Sequence, residues 1–130
     1  MIRVLVWNEF RHEKSSERVK AVYPNGIHNA IADFLRCDDI AVDTATLDDE
    51  NCGITKERLD NTDVLIWWGH MAHDKVPDEV ANLVRDAVLS GMGMILLKST
   101  EPIPRSSYWM ASSIARICAG SPCSVSTFVT

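Results

Sequence analysis

The chain has 130 residues, of which 46% are hydrophobic and 24% charged, with a formal net charge of −5 from 13 Lys and Arg against 18 Asp and Glu. This is one domain's length with apolar side chains enough for a single core, and its acidic balance argues against a binder of phosphate backbones, which needs dense positive patches. No apolar run approaches the ~20 residues that cross a bilayer, and MIRVLVWNEF lacks the small-residue cleavage site of a signal peptide, so the expectation is a cytoplasmic protein with no nucleic-acid or membrane partner.

In chain order, Ile2 to Trp7 is a short β-branched apolar run, the pattern of a strand buried on both faces. A polar stretch follows from Asn8 to about Asn25 and ends in the turn chemistry of Tyr23-Pro24-Asn25-Gly26. Ile27, Ala30, Ile31, Phe34 and Leu35 then recur at helical spacing, which predicts an amphipathic helix ending near Cys37 with these five on its core face. Ile40 to Leu47 alternates and reads as a second strand nearer a sheet edge. Asp48 to Gly53 is an acidic loop, and Thr55 to Leu59 one helical turn.

Asp63 to Trp68 is a third buried strand, closed by Gly69. Pro77 suits the start of a helix, and Asp78 and Glu79 favour the positive end of its dipole. Val80, Leu83, Val84, Ala87 and Val88 supply its core face, and Gly91 stops it. Gly93 to Leu97 is a fourth strand. Alternating strands and helices at this spacing call for parallel pairing with right-handed crossovers, so the predicted fold is α/β with an open, doubly wound parallel sheet.

After Leu97 the composition changes: residues 98–130 are rich in serine and carry only Lys98, Glu101, Arg105 and Arg116 as charged side chains. The expected organisation is an α/β domain over 1–97 and an atypical tail over 98–130, either an irregular extension or the product of a lost reading frame. Cys37, Cys52, Cys118 and Cys123 form no CxxC pair and read as free thiols.

The chemistry-bearing residues follow the strands. His12 and His28 bracket the segment after the first strand, and His70 and His73 lie in the loop after the third. Loops after parallel strands emerge at one carboxyl edge, where α/β proteins bind ligands. The topology therefore predicts that His12, His70 and His73 converge with Glu9 and Glu13 on one crevice, with His28 near the same edge. Imidazoles and carboxylates together can hold a metal, move protons or bond a polyol. The expected assignment gives His12, His70 and His73 to a divalent metal, zinc by ligand type, and proton transfer to Glu9, Glu13 and His28. Asn8 and Trp68 are candidate substrate contacts. Trp67 and Trp68 must face opposite sides of the strand, one towards the core and one towards the crevice rim. Gly91-Met92-Gly93 matches neither a dinucleotide fingerprint nor a P-loop, so no nucleotide cofactor is expected, and no elbow motif presents a nucleophilic Ser or Cys.

Trp7-Asn-Glu-Phe-Arg-His-Glu13, Tyr23-Pro-Asn-Gly-Ile-His28, Asp63-Val-Leu-Ile-Trp-Trp-Gly-His-Met-Ala-His73 and Gly91-Met-Gly93 together resemble the ThuA family of trehalose-utilisation proteins over residues 1–97. The resemblance implies a flavodoxin-like, class I glutamine amidotransferase-like sheet that lacks the amidotransferase's catalytic cysteine. It also implies a bacterial role in disaccharide metabolism, on a trehalose-type sugar or its keto derivative, alongside an NAD-dependent sugar oxidoreductase. Family members run further and place a His-Ser turn after the fourth strand, where Lys98-Ser99-Thr100 stands here, so a C-terminally incomplete version of the fold is expected. The runner-up function is a non-catalytic sugar-binding or partner protein.

Overall fold

In the computed structural model, which describes residues 1–69, 71–98 and 126–129, the run of β-branched and apolar residues near the N-terminus forms β1 (Ile2–Asn8). Its side chains alternate as a pleated strand requires: Leu5 and Trp7 enter one core cluster, and Val4 and Val6 the other. β2 (Ile40–Thr46) pairs with one side of β1 and β3 (Val64–Trp68) with the other, both parallel. β4 (Gly93–Lys98) pairs with β3, and β5 (Ser126–Val129) with β4, again in parallel. The sheet order is β2-β1-β3-β4-β5, the flavodoxin-like order. The α/β, parallel, doubly wound architecture expected from the sequence is the one observed. The tail showed no strand period, yet β5 lies within it; four residues are too few to establish a period, and an edge strand is recruited through its backbone.

The polar stretch after β1 contains two short helices, α1 (His12–Ser15) and α2 (Glu17–Val22). α2 buries no residue, so no apolar stripe marks it in the sequence. α3 (Ile27–Leu35) follows and packs on β1 and β2. Its inward stripe differs from the predicted one: His28 and Ala32 are buried and Ile31 and Leu35 pack on the sheet, whereas Phe34 is 88% exposed. The reason is polar, since His28 turns inward to meet Asn8 and carries the helix face round with it.

On the opposite face lie α4 (Lys56–Asp60), capped by the Thr55 hydroxyl, and α5 (Asp78–Leu89). Val80, Val84 and Val88 of α5 pack with Leu5, Trp7, Leu65 and Trp67 into the larger core cluster. α5 ends in a paired reverse bond, Met92 N–H to the Ala87 carbonyl and Gly91 N–H to the Val88 carbonyl. Gly91 has φ +113°, so its lack of a side chain is what permits this stop. Among the described residues no helix is long and apolar enough to cross a membrane.

Candidate functional site

With helices on both faces and β1 and β3 adjacent, the strand order reverses direction between these two strands. The crevice at their carboxyl ends is the topological switch point, where open α/β sheets take their ligands. Four of the five buried polar or charged residues among those described, Asn8, Glu9, Glu13 and His28, lie at or beside this edge, each at most 5% exposed. Buried polar groups are costly unless hydrogen-bonded, and here two separate networks hold them.

The first network lies on the α3 side. Asn8 ends β1, and its Oδ1 accepts from the Phe10 N–H at 2.9 Å. That bond fixes the orientation of its amide, so Nδ2 donates to Glu13 Oε1 (2.8 Å) and to His28 Nδ1 (3.0 Å). Both His28 ring nitrogens thus face side-chain amide nitrogens, Nδ1 that of Asn8 and Nε2 that of Asn29 at 3.2 Å. Burial pushes the His28 pKa down, against the opposing pull of Glu13 and Asp49. Glu13 Oε1 also accepts from the Ile27 N–H at 2.9 Å, so the carboxylate caps α3 from a distance. Burial alone would raise the Glu13 pKa, but the bonds from Ile27, its own N–H and Asn8, with His28 nearby, bring it below the ordinary value. Glu13 Oε2 is buried with no hydrogen-bond partner among the described residues. Phe10, at φ +52°, sets its ring edge-on to His28 with centroids 5.1 Å apart.

The second network belongs to Glu9 and the loop after β3. Glu9 Oε1 accepts from the Met71 N–H (2.8 Å), and Oε2 from the Met71 and Ala72 N–H groups (3.1 and 2.9 Å). A buried carboxylate thus grips successive backbone donors of the loop that leads to His73. Beneath it, Trp67 stacks on Trp7 with centroids 3.7 Å apart and planes 16° from parallel. The Trp7 N–H donates to the Cys52 carbonyl at 2.9 Å, inside a tight turn whose Asn51, Cys52 and Gly53 all have positive φ. The Trp67 indole N–H, equally buried, has no acceptor among the described residues. Gly69 borders all of this: a Cβ there would lie 3.0 Å from His73 Nε2, 3.2 Å from Glu9 Oε2 and 3.4 Å from Trp67 Nε1.

Of the remaining candidates, His12 is half-buried at the start of α1. α1 is tied to the loop after β2 by Arg11, whose guanidinium meets both Asp48 oxygens at 2.9 Å. Trp68 is half-buried at the end of β3, on the opposite face from Trp67. His70 lies outside the described residues, as does most of the Ser-rich tail. Among the described residues no group of three or more His, Cys, Asp or Glu stands close enough to hold a metal ion. Sequence reasoning passed over Trp67 and Gly69 as parts of the site, one read as a core-or-rim ring and the other as a strand stop. The one signal for them is their place immediately before His70-x-x-His73 in the chain.

No curated protein matches the sequence. The family model of ThuA, described as trehalose utilisation, matches residues 3–112, which span β1, the loop after β3 and the first residues beyond the change of composition at Leu97. With that match over most of its length, the chain belongs to the ThuA family of trehalose utilisation.

Proposed function

We propose that this chain binds a trehalose-type disaccharide or its keto derivative in the crevice between the carboxyl ends of β1 and β3 and processes it there. The observation that carries this reading is the gathering of Asn8, Glu9, Glu13 and His28, all buried, at the switch point of the sheet. A neutral polyol is recognised by acceptors and donors that are already oriented, and Asn8, Glu9 and Glu13 are held by backbone N–H groups, His28 by the Asn8 amide, before any ligand arrives. The family's description, trehalose utilisation, supports the same substrate class.

In this reading the half-exposed His73 is the proton carrier, set beside Glu9 at the loop that Glu9 grips. Glu13 and His28 orient Asn8 towards the sugar from the α3 side. Replacing His73 by Ala is expected to abolish turnover of a keto-disaccharide and leave the unfolding midpoint unchanged; full turnover by the variant would remove His73 from the chemistry.

An alternative metal proposal instead gives His12, His70 and His73 to a divalent ion, zinc by the preference of imidazole nitrogen, and proton transfer to Glu9 or Glu13. Such an ion would polarise a sugar carbonyl or hydroxyl. Its support is ligand type alone. Elemental mass spectrometry of purified protein, before and after dialysis against a chelator, should return close to one ion per chain; a metal-free, folded protein would end it. An NAD-dependent sugar oxidoreductase acting on the same sugar is the proposed pathway partner.

A second reading, a non-catalytic sugar-binding protein, is favoured by the occupancy of the two carboxylates: Glu9 and Glu13 both spend acceptor capacity on backbone N–H groups. Sugar binding indifferent to chelator, with no product formed, would select it. Glutamine amidotransfer finds no support among the described cysteines. Cys37 is exposed just beyond α3, and Cys52 is buried in the turn after β2, where burial pushes its thiol pKa up.

A further inference from the structure

The geometry points to a subsite for a single sugar hydroxyl over Gly69, with the Trp67 indole N–H as its donor and Glu9 Oε2 as its acceptor. The inference rests on the sugar-binding reading and deepens it. Trp67 is 1% exposed, and its ring is held by the stack on Trp7, so its N–H has one fixed direction. Buried donors are nearly always paired. The Trp7 indole obeys this rule through the Cys52 carbonyl, whereas the Trp67 indole has no hydrogen-bond partner among the described residues.

The surroundings say which kind of oxygen fits. Trp67 Nε1 can only donate, and the Glu9 carboxylate can only accept. Both lie within 3.4 Å of the position that a Gly69 Cβ would occupy, with His73 Nε2 at 3.0 Å from the same point. A hydroxyl fits both, since it accepts from the indole and adds a donor to a Glu9 Oε2 that already accepts from the Met71 and Ala72 N–H groups. A ketone oxygen or a phosphate oxygen would accept from Trp67 but set its own lone pairs against Glu9. The subsite therefore selects a neutral hydroxyl, and the keto carbon of an oxidised sugar is directed elsewhere in the crevice. Glycine at position 69 puts no side chain among these three polar atoms, where even a Cβ would lie only 3.0–3.4 Å from them.

Nitrogen–proton correlation spectra of the full chain test this directly. The sequence holds four tryptophans, so four indole cross-peaks are expected, and Trp67→Phe identifies one by its loss while preserving an aromatic ring for the stack. Adding trehalose or a keto-trehalose should shift the Trp67 indole peak, and Trp67→Phe and Gly69→Ala should each weaken sugar binding about tenfold. If backbone peaks of residues 8–13 and 71–73 move while the Trp67 indole stays fixed, the subsite is wrong and the sugar reading stands. If no peak moves with either sugar, both fall. A Trp67 indole that responds to inorganic phosphate and not to the sugars would overturn the hydroxyl assignment.

Discussion

Glu9 is buried to 1% exposure, yet its carboxylate meets three backbone contacts from Met71 and Ala72. That arrangement makes it the fastener between the end of β1 and the loop after β3. Glu9→Gln keeps the shape but turns an amide NH2 towards one of those donors. It should cost about 2 kcal/mol in urea unfolding, the usual penalty for a buried donor left without an acceptor; a loss below about 0.5 kcal/mol would show that the loop does not depend on the charge. Asn8 and Glu9 were legible in the sequence because polar residues directly after a buried strand stand out against its pattern. The indole N–H of Trp67 was not. A tryptophan in a strand satisfies the periodicity whether or not its nitrogen finds a partner.

At the scale of elements, α3 shows how a buried polar bond overrides an apolar stripe. Periodicity put Phe34 inward, but His28 bonds to Asn8 and the capping carboxylate of Glu13 seizes the Ile27 N–H, so Phe34 faces outward. Phe34→Lys should therefore change stability by less than about 0.5 kcal/mol, whereas Ile31→Lys, on the packed stripe, should lose several times more by thermal unfolding. Equal losses would restore the predicted face. The end of α5 follows the sequence more closely: Gly91 at φ +113° closes the helix, and Gly91→Ala should cost about 1–2 kcal/mol of strain. Among the described residues no neighbour lies within 4 Å of its missing Cβ, so this loss would be conformational and not steric.

For the whole molecule, the shifted groups give stability a definite pH dependence. Burial lowers the His28 pKa from 6.5, so between that value and its folded value the unfolded chain binds the extra proton. Stability is fully present above about pH 6.5 and declines on acidification. The net lowering at Glu13 removes more as pH falls below 4.5. Asp48 beside Arg11 and Lys14, and Asp63 beside Arg3, are each held at about 2 and contribute in the same direction below 3.8. These two are exposed pairs, so salt should shrink their part. Urea midpoints measured from pH 7.5 to 5.5 should fall for the wild type and stay nearly flat for His28→Gln. A wild-type midpoint that rose on acidification would contradict the neutral, buried imidazole.

The sequence by itself determined the class of fold and its main elements, all but α1, α2 and β5. Apolar runs such as Val64-Leu-Ile-Trp-Trp68 form strands buried on both faces, the stripe of α5 ends at a glycine, and their alternation requires parallel crossovers. It also marked Asn8, Glu9 and the histidines as residues at strand ends. Only the tertiary structure decided which strands are neighbours, because periodicity fixes the faces of one element and carries no information about its partners. Pairing β3 with β1 and not with β2 is what brings Glu9 onto Met71 and Ala72, more than sixty residues away, and creates the switch-point crevice. The same long-range packing sorted the candidates into two networks, Asn8 with Glu13 and His28 on one side and Glu9 with Trp67, Gly69 and His73 on the other. Such a division depends on the direction of each side chain across the sheet and on the route of each loop, both of which are set by contacts distant in sequence.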